Sequence, residues 1–151
     1  MITIIRTNSE NLDFLYLVRF LDADLKIRDG EDHAFYAQLN KTDTIKHCLV
    51  AYENNCLVGC GAIRKYDAVA MEVKRMWVQP ENRGKGIAGQ ILSELEKWAV
   101  EMNFEKCILE TGIKQPEAIA LYKKCNYHII PNYGQYTGVD NSICFEKSLQ
   151  P

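Results

Sequence analysis

Apolar residues recur along this chain with two periods, one typical of helices and one typical of strands. Residues 2–6 form a short apolar run that predicts a first strand. A helix is expected from a cap at Ser9 to about residue 22, because apolar side chains recur there every three or four positions. This stripe consists of Phe14, Leu17, Val18, Leu21 and Leu25. Gly30 interrupts the pattern, and residues 31–41 predict a second helix.

The middle of the chain predicts a hairpin, then a strand, a turn and a helix. Residues 47–53 and 56–65 are strand-like runs joined by Asn54-Asn55, which predicts a tight turn. Residues 71–78 predict the next strand. The following helix is expected to end near Asn103. Its predicted buried face consists of Ile87, Ile91, Leu95 and Trp98.

The last third of the chain predicts a strand, a short helix and a closing hairpin. Residues 107–110 form the strand, and Pro116 suits the first position of the helix. Asn126 suits the left-handed conformation that often follows a helix. Residues 127–133 and 141–149 can then pair as a hairpin. The whole pattern contains seven strands and four helices, without a linker or repeat.

Composition fits one globular domain over residues 1–151. Hydrophobic residues make up 47% of the chain and charged residues 25%. The net charge of −2 argues against nucleic acid as a partner. No apolar run approaches the length of a membrane span, so no membrane association is expected. Six cysteines without a Cys-x-x-Cys pair favour reduced thiols in the cytoplasm, and no metal site is expected.

A glycine-rich turn after residue 78 carries the clearest chemical signal. It combines three glycines, the basic side chains of Arg83 and Lys85, and a helix start, whose N–H groups attract phosphate. A P-loop is excluded because no Ser or Thr follows Lys85. Residues 84–89 satisfy a dinucleotide fingerprint, but the clear second strand with an acidic end is missing. A dinucleotide-dependent reductase is therefore a remote alternative.

Two motifs resemble those of the GNAT acetyltransferase superfamily. The run 83–88, Arg-Gly-Lys-Gly-Ile-Ala, is similar to the coenzyme A pyrophosphate motif Arg/Gln-x-x-Gly-x-Gly/Ala. Residues 115–127 resemble Asn-x-x-Ala-x-x-Leu-Tyr-x-x-x-Gly-Phe/Tyr, with Gln115 in place of Asn and Asn126 in place of Gly. The resemblance covers essentially the whole chain. It implies a mixed α/β GNAT fold, with a central, mostly antiparallel mixed sheet of about seven strands flanked by four helices.

The resemblance implies acetyl-CoA as co-substrate and suggests which residues hold it. The strand before the turn would bind the pantetheine arm and thioester at Met76, Trp77 and Val78, with the Val78 N–H donating to the thioester carbonyl. Gln115 would be a further ligand contact. The pyrophosphate would accept hydrogen bonds from the backbone of Arg83, Gly84, Lys85, Gly86, Ile87 and Ala88.

The implied reaction is direct acetyl transfer to a primary amine in a ternary complex, without a cysteine nucleophile. Tyr122 would act as the general acid, since a phenol stays protonated at neutral pH; packing in the core is its alternative role. Glu72 is the first candidate for the general base, and Glu110 is the second. Glu72 could instead face solvent and pair with Lys74 or Lys65.

The resemblance implies an acceptor pocket formed by the first two helices and the last hairpin. Phe35, Tyr133 and Tyr136 are therefore the candidate contacts for a small-molecule or peptide amine. A protein or peptide N-acetyltransferase and a non-catalytic acyl-CoA-binding sensor are the alternatives. Homodimers are common in the superfamily, but no residue pattern specifies an interface or identifies the amine.

Overall fold

The computed structural model describes residues 1–30 and 45–149. These residues contain three α-helices: α1 (Leu12–Asp29), α2 (Ile87–Glu101) and α3 (Pro116–Lys124). The sheet consists of β1 (Ile2–Thr7), β2 (His47–Glu53), β3 (Cys56–Lys65), β4 (Ala70–Val78), β5 (Lys106–Gly112), β6 (His128–Ile130) and β7 (Ser142–Ser148). The seven strands confirm the prediction. The helix count in the described residues is three rather than four, and the helix expected at 31–41 lies outside them.

The strands form one mixed sheet in the order β1-β2-β3-β4-β5-β7-β6. All neighbouring strands are antiparallel except β4 and β5, which run parallel. These two pair only from Ala70↔Lys106 to Glu72↔Ile108, although both continue for several residues. The sheet therefore opens between the C-terminal halves of β4 and β5, and the cavities described below lie at this opening.

The helices cover both faces of the sheet because successive strand residues point to opposite sides. On one face, Phe14, Leu17, Val18 and Leu21 of α1 pack against Cys48 and Val50 of β2, among others. On the other face, α2 packs against Leu49 and Ala51 from the same strand. Tyr122 places α3 on the α2 side. The buried residues of α2 are Ile87, Ile91, Leu92, Leu95 and Ala99.

Helix α1 differs from its prediction at both ends. Its cap is Asn11 rather than Ser9, because the Asn11 side chain accepts a 2.9 Å hydrogen bond from the Phe14 N–H. The helix continues to Asp29 and stops at Gly30, whose φ of 55° is readily adopted by glycine. On α2, Trp98 is only half-buried, since its ring contacts His47 and Arg6 near the surface.

Strand β4 contains a β-bulge just before it reaches the cavities. Cys60 pairs with Trp77 and Ala62 with Lys74, so Gly61 faces two residues of β4. One of these is Arg75, a non-glycine residue with φ of 58°. A Cβ on Gly61 would lie 2.8 Å from side-chain atoms of Ile91 and Met76, so the bulge and the glycine fit together. The bulge bends β4 and redirects its side chains at the edge of the opening.

Candidate active site

The glycine-rich turn has the backbone of an anion-binding loop. A short 3₁₀ turn, Pro80–Asn82, follows β4, and Gly84 and Gly86 both adopt φ of 80°. Gly86 caps α2 without a side-chain hydrogen bond, and the first turn of α2 contains no acidic residue. The first N–H groups of α2 therefore keep their capacity to bind an anion, at the positive end of the helix dipole.

A cavity of about 360 Å³ lies along this turn, between β4 and α3. We call it the loop cavity. Its wall includes the predicted cofactor contacts Met76, Trp77, Val78, Arg83, Gly84, Gly86, Ile87, Ala88 and Gln115. Lys85 is not among these lining residues, and its ammonium group lies 3.3 Å from the Glu53 carboxylate. Most of the residues that the motif suggested for the cofactor thus line one cavity.

Arg83 helps to shape this wall through two contacts with β4. Its guanidinium lies 4.6 Å from the centre of the Trp77 ring, and its Nε donates a 2.9 Å hydrogen bond to the Val78 carbonyl. Across the cavity, Arg28 of α1 forms an ion pair with Glu117 of α3. These contacts hold the turn and the two helices around the loop cavity.

A smaller cavity of about 110 Å³ adjoins the loop cavity. Leu21, Met76, Gln115, Ala118 and Tyr122 line both. The smaller cavity alone is also lined by Leu25, Asp29, Val73, Lys74, Arg75, Glu110, Thr111 and Gly112. A nucleotide-sized ligand along the turn and a small second molecule would therefore meet at the shared wall, next to Met76 and Tyr122.

Tyr122 lies at the boundary between the two cavities. Its side chain is buried, and its ring packs against Tyr127 and Phe145. Burial and then the nearby charge of Glu110 raise the pKa of the phenol above its usual range. The phenol is therefore protonated at neutral pH and can donate a proton to a group at this boundary.

Glu110 lies on β5 in the wall of the smaller cavity. Burial raises the pKa of this carboxyl to about 7, while the hydrogen bond from Ser142 and the charge of Lys74 oppose the rise. The Ser142 hydroxyl donates to one carboxylate oxygen of Glu110 at 2.7 Å. A carboxyl group that titrates near neutral pH is suited to accept a proton from a substrate amine.

Glu72 has different surroundings. It is buried, accepts a 2.6 Å hydrogen bond from the Tyr133 hydroxyl, and accepts a second bond from the Arg64 Nε at 3.1 Å. The alternative that it faces solvent is therefore wrong. Its charge does act on Lys74, where burial lowers the pKa of the ammonium group and Glu72 opposes that change. Glu72 is not among the residues that line either cavity. Its carboxylate stabilises the contact between β4 and the loop that carries Tyr133.

The predicted acceptor contacts lie behind the cavity walls or outside the described residues. Tyr136 is fully buried, and its hydroxyl lies 3.3 Å from the Lys74 ammonium group. Tyr133 is engaged by Glu72, and neither tyrosine lines the smaller cavity. Phe35 lies outside the described residues. The tyrosines support residues of β4 rather than form the wall themselves.

Arg75 is a cavity residue that the sequence analysis missed. Its side chain is only 4% exposed, and one terminal nitrogen, Nη2, lies 2.7 Å from Asp22. The other two nitrogens, Nε and Nη1, are buried, and no group in the described part of the chain forms a hydrogen bond with them. Leaving a buried donor unsatisfied costs about 1–3 kcal/mol. The position of the Arg75 side chain depends on the bulge in β4, and no local sequence pattern indicates that bulge.

Comparisons with known proteins agree with this geometry. Residues 13–127 match the acetyltransferase (GNAT) family, so the chain belongs to that family and is an acyltransferase. It is 38% identical over 102 residues to IAA acetyltransferase of Azospirillum brasilense, with 67% of each chain covered.

Two solved structures share the fold over nearly the whole chain. A Klebsiella pneumoniae protein assigned to the acyl-CoA N-acyltransferases has a TM-score of 0.82 and 28% identity, with 99% of both chains covered. A GNAT acetyltransferase of Elizabethkingia anophelis, solved with acetyl-CoA bound, has a TM-score of 0.69 and 20% identity, with 97% of both chains covered. The GNAT-like arrangement thus extends beyond the matched family segment.

Residues 1–30 and 45–149 contain no group of three or more His, Cys, Asp or Glu side chains placed to hold a metal ion. No helix in this part of the chain is long and apolar enough to span a membrane.

Proposed function

We propose that this protein is an N-acetyltransferase that moves the acetyl group of acetyl-CoA directly onto a primary amine. Membership of the GNAT family supports acetyl transfer from acetyl-CoA. The observation that carries the finer proposal is the pair of adjoining cavities, with Tyr122 in their shared wall and Glu110 in the smaller one. One cavity suits the cofactor and the other suits a small acceptor.

The loop cavity is the proposed site of acetyl-CoA. Its glycines with positive φ and the start of α2, where no side chain caps the helix, are suited to bind the pyrophosphate. The acetyl-CoA bound to the Elizabethkingia relative supports the same ligand here. The pantetheine arm would extend past Val78 and Trp77 towards Met76, which brings the thioester to the shared wall.

Glu110 is the proposed general base, in preference to Glu72. The Glu110 carboxylate takes a proton from the amine, and the amine nitrogen forms a bond to the thioester carbonyl carbon. The carbon–sulfur bond then breaks as Tyr122 protonates the departing thiolate. The products are the acetylated amine and free coenzyme A. Tyr122 regains its proton and Glu110 releases one, through solvent.

The size of the smaller cavity favours a small amine over a folded protein as acceptor. Its volume of about 110 Å³ is below the roughly 150 Å³ of an engineered cavity that holds benzene. A side chain or a chain terminus of a peptide could still enter it. Thiol-release assays with free amines and with short peptides distinguish these two acceptors.

The test combines ligand binding and turnover. Thermal unfolding is measured with acetyl-CoA, with CoA and with NADPH, because a ligand at a hundred times its Kd stabilises by about 2.7 kcal/mol. Amines are then screened by thiol release from acetyl-CoA. Stabilisation by acetyl-CoA together with amine-dependent thiol release supports the proposal. Stabilisation without turnover of any amine favours a sensor, and a response to NADPH alone favours a reductase.

A further inference from the structure

Arg75 is a buried cation whose hydrogen-bonding capacity is only partly used. Asp22 of α1 binds Nη2 at 2.7 Å, while Nε and Nη1 are shielded from water and have no acceptor among residues 1–30 and 45–149. The residue belongs to the wall of the smaller cavity, and it adopts φ of 58° in the bulge of β4. Unusual backbone conformations at side chains other than glycine persist where the surroundings require them, and they cluster at functional sites.

We infer that Arg75 binds a carboxylate of the acceptor, so that the substrates are small amines that carry a carboxylate, such as amino acids. This inference rests on the proposed acetyl transfer at the same site. Guanidinium groups are suited to carboxylates because they stay charged and offer several donors in a fixed plane. A carboxylate would supply the acceptor atoms that Nε and Nη1 lack.

The Asp22 carboxylate does not by itself satisfy all the nitrogen donors of the Arg75 guanidinium. Its side chain is 54% exposed and contacts Nη2 from the solvent side of α1. The ion pair therefore orients the guanidinium and leaves Nε and Nη1 without an acceptor in the described part of the chain.

The charges of the smaller cavity fit a zwitterion. Glu110 and Asp29 provide negative charge, and Lys74 and Arg75 provide positive charge, all in one wall. The amine of an amino acid would lie towards Glu110, the proposed base, and its carboxylate towards Arg75. A volume of about 110 Å³ accommodates a group of a few heavy atoms.

The test uses paired acceptors that differ only in the carboxylate. Alanine, β-alanine and aspartate are each compared with the corresponding amide by thiol release from acetyl-CoA. For at least one pair, we expect kcat/KM to be at least tenfold higher for the acid than for its amide. In Arg75→Gln this preference should disappear through a higher KM for the acid, while the KM for acetyl-CoA is unchanged. Arg75→Lys should restore part of the preference.

A binding experiment separates this inference from the proposed reaction and does not depend on a folded variant. The thermal unfolding of the wild-type protein is measured with N-acetylalanine and with N-acetylalaninamide, which are the acetylated product and its uncharged analogue. Greater stabilisation by the acid supports the carboxylate site even if no amine is turned over. Equal effects of acid and amide in both assays overturn the carboxylate site, whether or not acetyl transfer is observed.

Discussion

The Tyr133 hydroxyl and the Glu72 carboxylate are joined by a 2.6 Å hydrogen bond that connects the loop before β7 to strand β4. Both groups are withdrawn from solvent, and the negative charge of Glu72 adds to burial in raising the pKa of the Tyr133 phenol. The bond therefore joins a neutral donor to a charged acceptor, which is the stronger kind of hydrogen bond.

This relationship predicts a structural role for Glu72. Tyr133→Phe leaves a buried carboxylate with one donor fewer and should lower the free energy of unfolding by about 1–3 kcal/mol. The measurement is urea unfolding of the wild type and of Tyr133→Phe, Glu72→Gln and the double variant, which gives the coupling energy of the pair. If the turnover of Glu72→Gln fell by more than about a hundredfold while its stability stayed normal, Glu72 would again be the candidate base.

Glu110 governs the predicted pH dependence of turnover. Its carboxylate must be deprotonated to act as a base, so kcat/KM should rise with pH through about 7, the raised pKa of this group. Glu110→Gln should lose this rise and reduce kcat by about 10²–10⁴-fold. Ser142→Ala is the informative control, because loss of the Ser142 hydrogen bond should move the rise to higher pH. If kcat/KM of Glu110→Gln still rose with pH through about 7, Glu110 would be excluded as the general base.

The same group affects stability. The pKa of Glu110 rises from 4.5 to about 7 on folding, so the native state binds the proton more tightly than the unfolded chain does. The protonated group stabilises the native state at low pH, and this contribution is lost as pH rises from about 4.5 to 7. Above pH 7, Glu110→Gln should therefore be more stable than wild type, by at most about 3 kcal/mol. Unfolding curves at pH 5 and pH 8 measure the difference.

Tyr122 should affect chemistry more than cofactor binding. Tyr122→Phe removes the acidic proton and keeps the ring contacts, so kcat should fall by about 10²-fold or more while the Kd for CoA stays near the wild-type value. Tyr127→Phe is the matched control, because that buried tyrosine bonds to Glu96 and lines neither cavity. Unchanged turnover of Tyr122→Phe at saturating acetyl-CoA would contradict the acid role.

The two glycines Gly86 and Gly138 offer a controlled test of the phosphate loop. Their φ values are 80° and 78°, and a Cβ at either would meet no atom within 4 Å. Substitution of either glycine by alanine should therefore introduce a similar backbone strain, which lowers the free energy of unfolding by about 1–2 kcal/mol. Only Gly86→Ala should also weaken CoA binding, as measured by calorimetry. Equal CoA affinity in both variants would argue against a pyrophosphate site at the turn.

The sequence predicted elements with strong periodicity and missed features that depend on distant packing. The hairpin around Asn54-Asn55 was placed correctly, because turn chemistry and strand periodicity agree there. Asn126 has φ of 72°, in agreement with its predicted left-handed conformation. The end of α1 was placed too early, since its last turns carry few buried apolar side chains and end only at Gly30.

The candidate site was predictable to the extent that it is encoded in contiguous motifs. The glycine-rich turn and the helix of Tyr122 are local patterns, and both line the loop cavity. The bulge at Arg75 instead depends on Gly61 in the neighbouring strand, and the surroundings of Glu110 depend on Ser142, 32 residues away. Burial and partners across the sheet decide the charge state of a side chain, and neither can be read from spacing along the chain.

The short parallel contact between β4 and β5 has a mechanical consequence. Among the described residues, the strand pairing between β4 and β5 extends only over residues 70–72 and 106–108. An acyl-CoA molecule lying between the two halves would act as a brace where the hydrogen-bond ladder is missing. Amide protons along the open edges of β4 and β5 should therefore exchange more slowly with solvent once the cofactor is bound, which couples occupancy of the site to the rigidity of the whole sheet.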